Sequence, residues 1–571
     1  MKSPAPTRRC SKTVDDKYLA RGDDRSHIAE GRCDESSEGP MSVQTSLTTA
    51  LNEIDRAGGI VEFSTAVVRR DKQLCKADLP VFLQQAAVEF QSRFLPSFEE
   101  SIRAEKSWGY ATTCNAVSRR AGGQAGRDTC ERIASRVSQL DHALMRKIGI
   151  RALSIFVASF GRHARRAECR HGAVRIAKFC CEESRSLQEL NNLSLAGLIN
   201  GFSKWPEGSD FRQAAVAIAG EVIRRAGRPH QLSEFRQQGL VSLVNGFSKW
   251  PEEAASRQAA ATLALEILRR PRRLADFPQQ GLAILVNGFS KWPEELPCGQ
   301  VTVAVATEVL GRAARFHEFS EQDLANLVNG FSKWPEENAS RQATVAIASE
   351  LLRRAVQLPH YTQQGLANLV NGFCKWPEDA TCRKAAVAIA GEVSCRAAQL
   401  PDLTQQGLSN LVNGFSKWPG DAASRRAAVA LACEVLRRAA QLCEFSQQGL
   451  ANLVSGFTNW PDELPCGQVT VVLADEVLRR ADRKTGLSDF TAQDLRGLLI
   501  GFNRSPPEFA ARKATIAIVN EVLGRGIRLF NFTKLEAENL LSGFSKWPQH
   551  AAGQGRVTEI IRELQLASET A

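Results

Sequence analysis

The chain has 571 residues, of which 43% are hydrophobic and 24% charged, a composition typical of a folded protein. That length exceeds one ordinary core and predicts several domains or an extended repeat array. No segment approaches the ~18 consecutive apolar residues of a membrane-spanning helix, and no apolar segment typical of a signal peptide begins the chain. The 15 cysteines follow no metal-ligand or disulfide spacing, so no metal and no other cofactor is expected. The net charge of +11 suits an acidic partner, a nucleic acid or simply a basic soluble surface.

The first 150 residues divide into two predicted regions. Residues 1–46 are rich in Ser, Arg and Asp and nearly lack large apolar side chains, which predicts disorder. Their first acidic residue is Asp15, and such a polar beginning is compatible with a type III secretion signal. Residues 47–150 contain apolar helical stretches and are predicted to be a helical cap of degenerate repeats. Cys114 and His142 could be nominated there as a nucleophile and a base, but no catalytic or phosphate-binding motif accompanies them.

Residues 151–571 contain a motif that recurs every 42 residues, with 45 at two junctions. NGFSKWP occurs unchanged at 200–206, 245–251, 287–293, 329–335 and 413–419, with four near copies elsewhere. Counting back 42 from Phe202 reaches Phe160, where the motif is degraded. We therefore predict nine clear repeats preceded by one degenerate repeat. A period of 40–47 residues is typical of HEAT and armadillo solenoids.

Each repeat is predicted to be a helical hairpin. In residues 363–373, apolar side chains recur at i, i+3, i+4 and i+7, which forms one apolar stripe on a first helix, helix A. Thr362 is its predicted N-cap, and Trp376, which precedes Pro377, is predicted to end it. A second apolar helix, helix B, follows from residue 382. The predicted fold class is all-α, a HEAT/armadillo-like α-solenoid of about 42-residue hairpins.

A tryptophan occupies the same position in eight of the nine repeats. A tryptophan that follows an amphipathic helix and precedes proline most often fills the gap between layers, so we interpret it as structural rather than as a stacking platform. Gly372 and its equivalents are interpreted as small residues that let helices approach closely. The tryptophans are Trp205, Trp250, Trp292, Trp334, Trp376, Trp418, Trp460 and Trp547.

A glutamate on helix B is present in all nine repeats, and eight of the nine have an arginine four residues later. Such a pair contributes only about 0.2–0.5 kcal/mol, too little to explain nine copies. We hypothesise an additional contact between layers or with the neighbouring A–B turn. Nine equal copies are not a catalytic site. The glutamates are Glu221, Glu266, Glu308, Glu350, Glu392, Glu434, Glu476, Glu521 and Glu563.

The polar face of helix A is the predicted partner-binding surface. Gln364, Asn368, Asn371 and Lys375 lie at i, i+4, i+7 and i+11, opposite the apolar stripe. Amides can bond an extended backbone, and lysines attract acidic groups. A solvated face, or amide contacts between layers, is the alternative. We call the following residues the ladder: Asn326, Lys333, Asn368, Lys375, Asn410, Lys417 and Asn452.

The SKWP tetrads carry a family resemblance. They occur at 203–206, 248–251, 290–293, 332–335, 416–419 and 545–548. Repeats of about 42 residues centred on SKWP resemble the SKWP-repeat type III effectors of plant-pathogenic Ralstonia, over about residues 150–570. The resemblance implies a virulence protein secreted into the plant cell, in the host cytoplasm or nucleus, that is not an enzyme. Members of that family are usually longer, and repeat eight, with GFNRSPP, lacks the Lys and the Trp.

A second resemblance points to a different partner. QQGLANLV at 363–370 is similar to the core of octotricopeptide-type repeats, which bind RNA one unit per base. Those units are shorter, near 38 residues, and their variable positions lie elsewhere. The expected function is therefore a monomeric helical-repeat scaffold that binds host plant protein, with RNA binding as the alternative and no membrane partner.

Overall fold

The structure is a computed structural model that describes residues 47–74, 77–120, 124–228, 231–504, 509–530, 532–545 and 554–569. The predicted disorder of residues 1–46 falls outside these ranges. The described residues form helices and turns and contain no strand. Backbone contacts divide the chain into two compact units, Met1–Ala259 and Ala260–Ala571.

In the first unit, helices α1 to α7 precede the clear repeats. From α8 onward the helices alternate between helix A and helix B, and α8, α10 and α12 pack side by side as helix A, with α9 against α11 as helix B. The helices are α1 (Leu47–Arg56), α2 (Ile60–Gln73), α3 (Asp78–Glu89), α4 (Phe98–Arg103), α5 (Ser107–Arg120), α6 (Gln124–Gln139), α7 (His142–Ile148), α8 (Ile150–Gly161), α9 (Ala167–Glu182), α10 (Asn192–Phe202), α11 (Ser209–Ala226), α12 (Gln237–Phe247) and α13 (Ala254–Leu268), in which the unit boundary falls.

The second unit continues the alternation. Each helix A packs against the next helix A and each helix B against the next helix B, the arrangement of an α-solenoid. The helices are α14 (Gln279–Phe289), α15 (Leu296–Gly311), α16 (Glu321–Phe331), α17 (Asn338–Arg353), α18 (Gln363–Phe373), α19 (Ala380–Cys395), α20 (Gln405–Phe415), α21 (Ala422–Arg437), α22 (Gln447–Phe457), α23 (Leu464–Ala481), α24 (Ala492–Arg504), α25 (Phe509–Arg525), α26 (Lys534–Ser545) and α27 (Gln554–Glu569). The predicted all-α repeat fold is confirmed.

Short 3₁₀ helices connect helix B of one repeat to helix A of the next. We call each such connection a B–A turn. In the second unit they include Ala313–Glu318, Ala355–His360, Ala397–Asp402 and Ala439–Glu444. The longer junction before α24 has hydrogen-bonded turns instead, where the sequence has its extra residues.

The ends of helix A follow from local chemistry. In α18 the Thr362 hydroxyl accepts a hydrogen bond from the Gly365 amide at 3.0 Å, so the predicted N-cap is confirmed. The helix ends at Phe373, three residues before the predicted end at Trp376. The Trp376 amide still donates to the Phe373 carbonyl at 3.1 Å, which closes a tight turn. Pro377 then prevents any further helical hydrogen bond.

Glycine lets neighbouring A helices approach closely. A Cβ atom added to Gly372 would lie 2.2 Å from Cγ1 of Val328 and 2.9 Å from its carbonyl oxygen. Gly330 meets Val286 in the same way in the preceding repeat. Real Cβ atoms do not approach other atoms so closely, so only glycine permits this contact. The contact places the polar faces of successive A helices side by side.

Candidate partner-binding surface

The repeat tryptophans in the described ranges are buried, and four of them are seen to hydrogen-bond to the motif before their own. The indole Nε1–H of Trp376 donates to the Pro335 carbonyl at 3.0 Å, and that of Trp418 to the Pro377 carbonyl at 2.9 Å. With their rings buried and their N–H groups bonded, these side chains offer no stacking platform. The buried set is Trp205, Trp250, Trp292, Trp334, Trp376, Trp418 and Trp460, and Trp547 lies outside the described residues.

The repeated glutamate and its arginine form a bridge between helix B and the preceding B–A turn. In α23, Glu476 accepts a hydrogen bond from Arg480 Nε at 2.7 Å, and both side chains are buried. The same guanidinium donates to the carbonyls of Leu442 at 3.1 Å and Phe445 at 2.7 Å. The arginine makes the additional contact, and it binds the B–A turn that connects this repeat to the one before it. Of the two hypothesised contacts, between layers or with the A–B turn, the one with the A–B turn is not what the arginine makes.

This bridge recurs along the chain. We call it the arginine bridge. Arginines that bond both the repeat glutamate and a B–A turn carbonyl are Arg225, Arg312, Arg354, Arg396, Arg438, Arg480 and Arg525, with Glu221, Glu308, Glu350, Glu392, Glu434, Glu476 and Glu521. Glu266 pairs with Arg270, and Glu563 lies 3.8 Å from Arg562. An ion pair that joins elements in this way, repeat after repeat among the described residues, is a structural feature.

The pKa values of three bridge glutamates are lowered. Burial by itself would raise the pKa of Glu221, but hydrogen bonds from Arg224 and Arg225 outweigh burial and lower that pKa. The pKa values of Glu350 and Glu476 are lowered by the same balance of burial and two arginines. A carboxylate held in this form is a hydrogen-bond acceptor and a poor general acid.

The ladder residues lie on neighbouring elements of the second unit. The four asparagines are half-buried on α16, α18, α20 and α22, and the three lysines are exposed in the turns that follow the first three of these helices. Lys291 occupies the equivalent turn of the preceding repeat and is also exposed. We include it in the lysine row: Lys291, Lys333, Lys375 and Lys417. Lys291 was not among the predicted residues, although its place in an SKWP tetrad marks it.

Neighbouring glutamines occupy the amide oxygens of two ladder asparagines. Gln364 Nε2 donates to Asn368 Oδ1 at 2.9 Å, and Gln322 makes the same bond to Asn326. Across repeats, Asn371 Nδ2 lies 3.5 Å from Asn329 Oδ1, so the alternative of amide contacts between layers holds for that neighbouring position. The Nδ2 donors are what Asn326 and Asn368 have left for a partner.

The lysine row carries uncompensated positive charge. Lys333 is exposed, yet protein atoms packed around it lower the pKa of its ammonium group, and the charges of Lys375 and Lys291 lower it further. In the described part of the chain, none of the four lysines of the row has an ion-pair partner. The row is therefore a line of like charges that only an anionic partner can neutralise.

Arginines on helix B differ from this row because acidic residues of the next repeat neutralise them. Arg383 pairs with Asp421 at 2.9 Å, and Arg341 lies 3.3 Å from Glu378. The pKa of Arg383 is raised by its hydrogen bond to Asp421. The positive charge behind the net charge of +11 is thus unevenly distributed over the surface. In the lysine row it is not neutralised by neighbouring carboxylates.

The residues nominated for catalysis do not form a site. The Cys114 thiol lies 3.6 Å from the Cys130 thiol in the interior, while both ring nitrogens of His142 lie 3.0 Å from glutamates, Glu182 and Glu183. Over the described ranges, no group of three or more His, Cys, Asp or Glu side chains is placed to hold a metal ion. No described helix has the length and apolar character needed to cross a membrane.

Comparisons with known proteins add little to these observations. No protein-family model matches the chain, and no curated protein matches it. Among solved structures, it is similar to the pentatricopeptide repeat protein PPR10, in two crystal structures in complex with an 18-nt psaJ RNA element. Each match covers 92% of this chain and 96% of that chain, at 10% identity and a TM-score of 0.23. At such values the fold assignment rests on the helix pairs themselves. The chain is an α-helical repeat protein.

Proposed function

We propose that this protein is a non-enzymatic helical-repeat scaffold that binds a host plant protein along the ladder. One observation supports this proposal above the others. The lysine row has no acidic partner among the described residues, and it runs beside asparagines of which two, Asn326 and Asn368, have their oxygens already bonded. A row of donors on adjacent repeats suits an extended, acceptor-rich partner.

A protein partner is favoured over RNA by the placement of the aromatic side chains. Single-stranded RNA is commonly held by stacking its bases on aromatic rings. Here the described repeat tryptophans are buried, and none of the exposed large apolar side chains in the described ranges is aromatic. RNA stays the second candidate because the lysine row would also attract phosphates.

The binding experiment is a pull-down from plant extract with and without nuclease, using the full chain. The test variant combines Lys333→Glu, Lys375→Glu and Lys417→Glu. The matched control changes three other exposed lysines, Lys147, Lys178 and Lys384, to Glu. We expect the test variant to retain about a tenth or less of the captured protein, because like charges then face an acidic partner.

The outcomes separate the two candidates. Capture that survives nuclease, falls in the test variant and is unchanged in the control supports the proposal. Capture that nuclease abolishes, with a steep loss of affinity as salt is added, indicates RNA instead. Equal capture by the test variant and the unmodified chain excludes the ladder as the binding surface.

Delivery into the host is a separate part of the proposal. The SKWP resemblance and the polar residues 1–46 support a type III secreted virulence effector. Deletion of residues 1–46 ends just before α1, so the melting curve should stay unchanged while translocation by a type III-competent strain is lost. Arrival of the shortened protein in the host cytosol would show that the signal lies elsewhere.

A further inference from the structure

The ladder presents hydrogen-bond donors at its lysines and at two of its four asparagines. Lysine ammonium groups donate and cannot accept, and Asn326 and Asn368 have their oxygens occupied by Gln322 and Gln364. Acidic residues that follow the Trp–Pro turns instead pair with helix B, as Asp421 does with Arg383. A partner of this surface must therefore supply both negative charge and carbonyl oxygens.

The ladder also has a defined end. In repeat seven the lysine is replaced by Asn459, whose Nδ2 donates to the carbonyl of Ser455 at 2.7 Å. Ser455, in turn, donates to the carbonyl of Gly497 at 2.9 Å, where a ladder asparagine would otherwise lie. At the other end, Ile284 replaces the asparagine beside Lys291. Within the second unit, the lysine row thus spans four repeats, the third to the sixth, while Lys204 and Lys249 hold the same position in the tetrads of repeats one and two.

The spacing of the A helices selects one peptide conformation. Packed helices lie about 8–10 Å apart, and the Gly372–Val328 contact shows that these helices pack closely. A polyproline II segment repeats its side-chain direction every three residues, with a rise of about 9 Å over those residues. A β-strand repeats every two residues, about 7 Å, and falls out of step with the lysines.

We propose that the ladder binds an extended acidic segment of the protein partner, about twelve residues long, in the polyproline II conformation with a carboxylate at every third residue. This inference rests on the proposed protein-binding function. Each carboxylate faces one lysine of the row, and the unpaired backbone carbonyls of the segment accept from the asparagine Nδ2 groups.

The test measures fluorescence polarisation of labelled probes with the full chain at low ionic strength. The first probe is Glu-Pro-Ala repeated four times. The second has the same composition with its four glutamates adjacent, and the third is a twelve-nucleotide oligouridine. We expect the periodic peptide to bind roughly tenfold more tightly than the other two probes, because only its charges match the row.

The lysine variants complete the test. The Lys333, Lys375 and Lys417→Glu variant should lose about tenfold or more in affinity for the periodic peptide, and the Lys147, Lys178 and Lys384→Glu control should lose none. A Lys→Gln version of the test variant gives the same answer if the Glu version loses helicity. Equal binding of the two peptides overturns the inference, and so does tighter binding of oligouridine.

Failure of this inference is distinguishable from failure of the proposed function. If the periodic peptide does not bind but the test variant still loses nuclease-resistant capture from plant extract, the ladder binds a protein of another shape. If capture from extract is unchanged in the test variant, the proposed function itself is wrong, whatever the peptides do.

Discussion

The regular repeats at 279–481 and the N-terminal region at 47–182 build similar helix layers in different ways. In the repeats one set of contacts is copied: glycine against valine, tryptophan to proline carbonyl, arginine to B–A turn. In the N-terminal region the contacts are individual. Arg93 donates to the carbonyls of Ile54, Asp55 and Ala57, and the Tyr110 hydroxyl donates to the carbonyl of Phe94.

The degenerate repeat around Phe160 shows what is retained when the motif is lost. Counting 23 residues on from Phe160, the spacing from Phe331 to Arg354, reaches Glu183. Glu183 accepts hydrogen bonds from Arg146 and His142 of α7, and Arg146, then His142, lowers its pKa. The charges are reversed relative to the arginine bridge, but the end of helix B is still tied to the element that precedes helix A of the same repeat. In this repeat the contact is retained with the carboxylate and the cationic group exchanged.

The largest expected effect is on the tryptophan row. Trp334→Ala should destabilise the chain by about 3–5 kcal/mol, because it removes a buried aromatic from between two layers. Trp108→Ala in the N-terminal region should cost less, since Trp108 is half-exposed. Urea unfolding followed by circular dichroism measures both variants. An unfolding curve of Trp334→Ala identical to that of the unmodified chain would contradict the packing role.

The next effect separates two arginines that share one glutamate. Arg354→Gln should cost about 3 kcal/mol, because it leaves buried Glu350 without its bridge to the B–A turn. Arg353→Gln should cost less than about 1 kcal/mol, since the Arg353 side chain is 68% exposed. Equal losses in the two urea curves would mean that the contact with the turn adds nothing to the ion pair.

The smallest effect has opposite signs at two glycines. Gly372→Ala should destabilise by about 1–3 kcal/mol, because the new methyl group meets Val328. Gly391 lies within α19, and a Cβ atom added there would meet no neighbouring atom within 4 Å. Gly391→Ala should therefore stabilise the chain by about 0.5–1 kcal/mol through helix propensity. Thermal melts of the two variants measure the difference. Melting temperatures that shift in the same direction would refute the close approach of the A helices.

Much of the fold could be predicted because the signals for the two helices of a repeat lie within the sequence of that repeat. The apolar stripe and the Thr362 cap lie within one repeat, the period follows from the spacing of successive motifs, and all three appear in the structure. The target of the arginine bridge could not be predicted, because it is a backbone carbonyl. Every residue has one, so Leu442 and Phe445 leave no mark of this role in the sequence.

The candidate site was predictable to a similar extent. The face of helix A and its lysines follow from residue spacing. The structure places that face on adjacent helices of one unit and the lysines in the turns just after those helices. The partly occupied amides were not predictable, because the bond from Gln364 to Asn368 depends on which way each side chain points. The absence of acidic partners for the lysines also depends on where Asp421 and its equivalents go, which only the folded chain decides.

The central claim is that the ladder, and not the rows that join the repeats, meets the partner. Acetylation of lysines, read residue by residue by mass spectrometry with and without bound plant protein, tests it most directly. We predict that labelling falls at Lys291, Lys333, Lys375 and Lys417 when the partner binds, and is unchanged at Lys147, Lys178 and Lys384. Unchanged labelling of the lysine row, in a sample where the partner is bound, would contradict the claim.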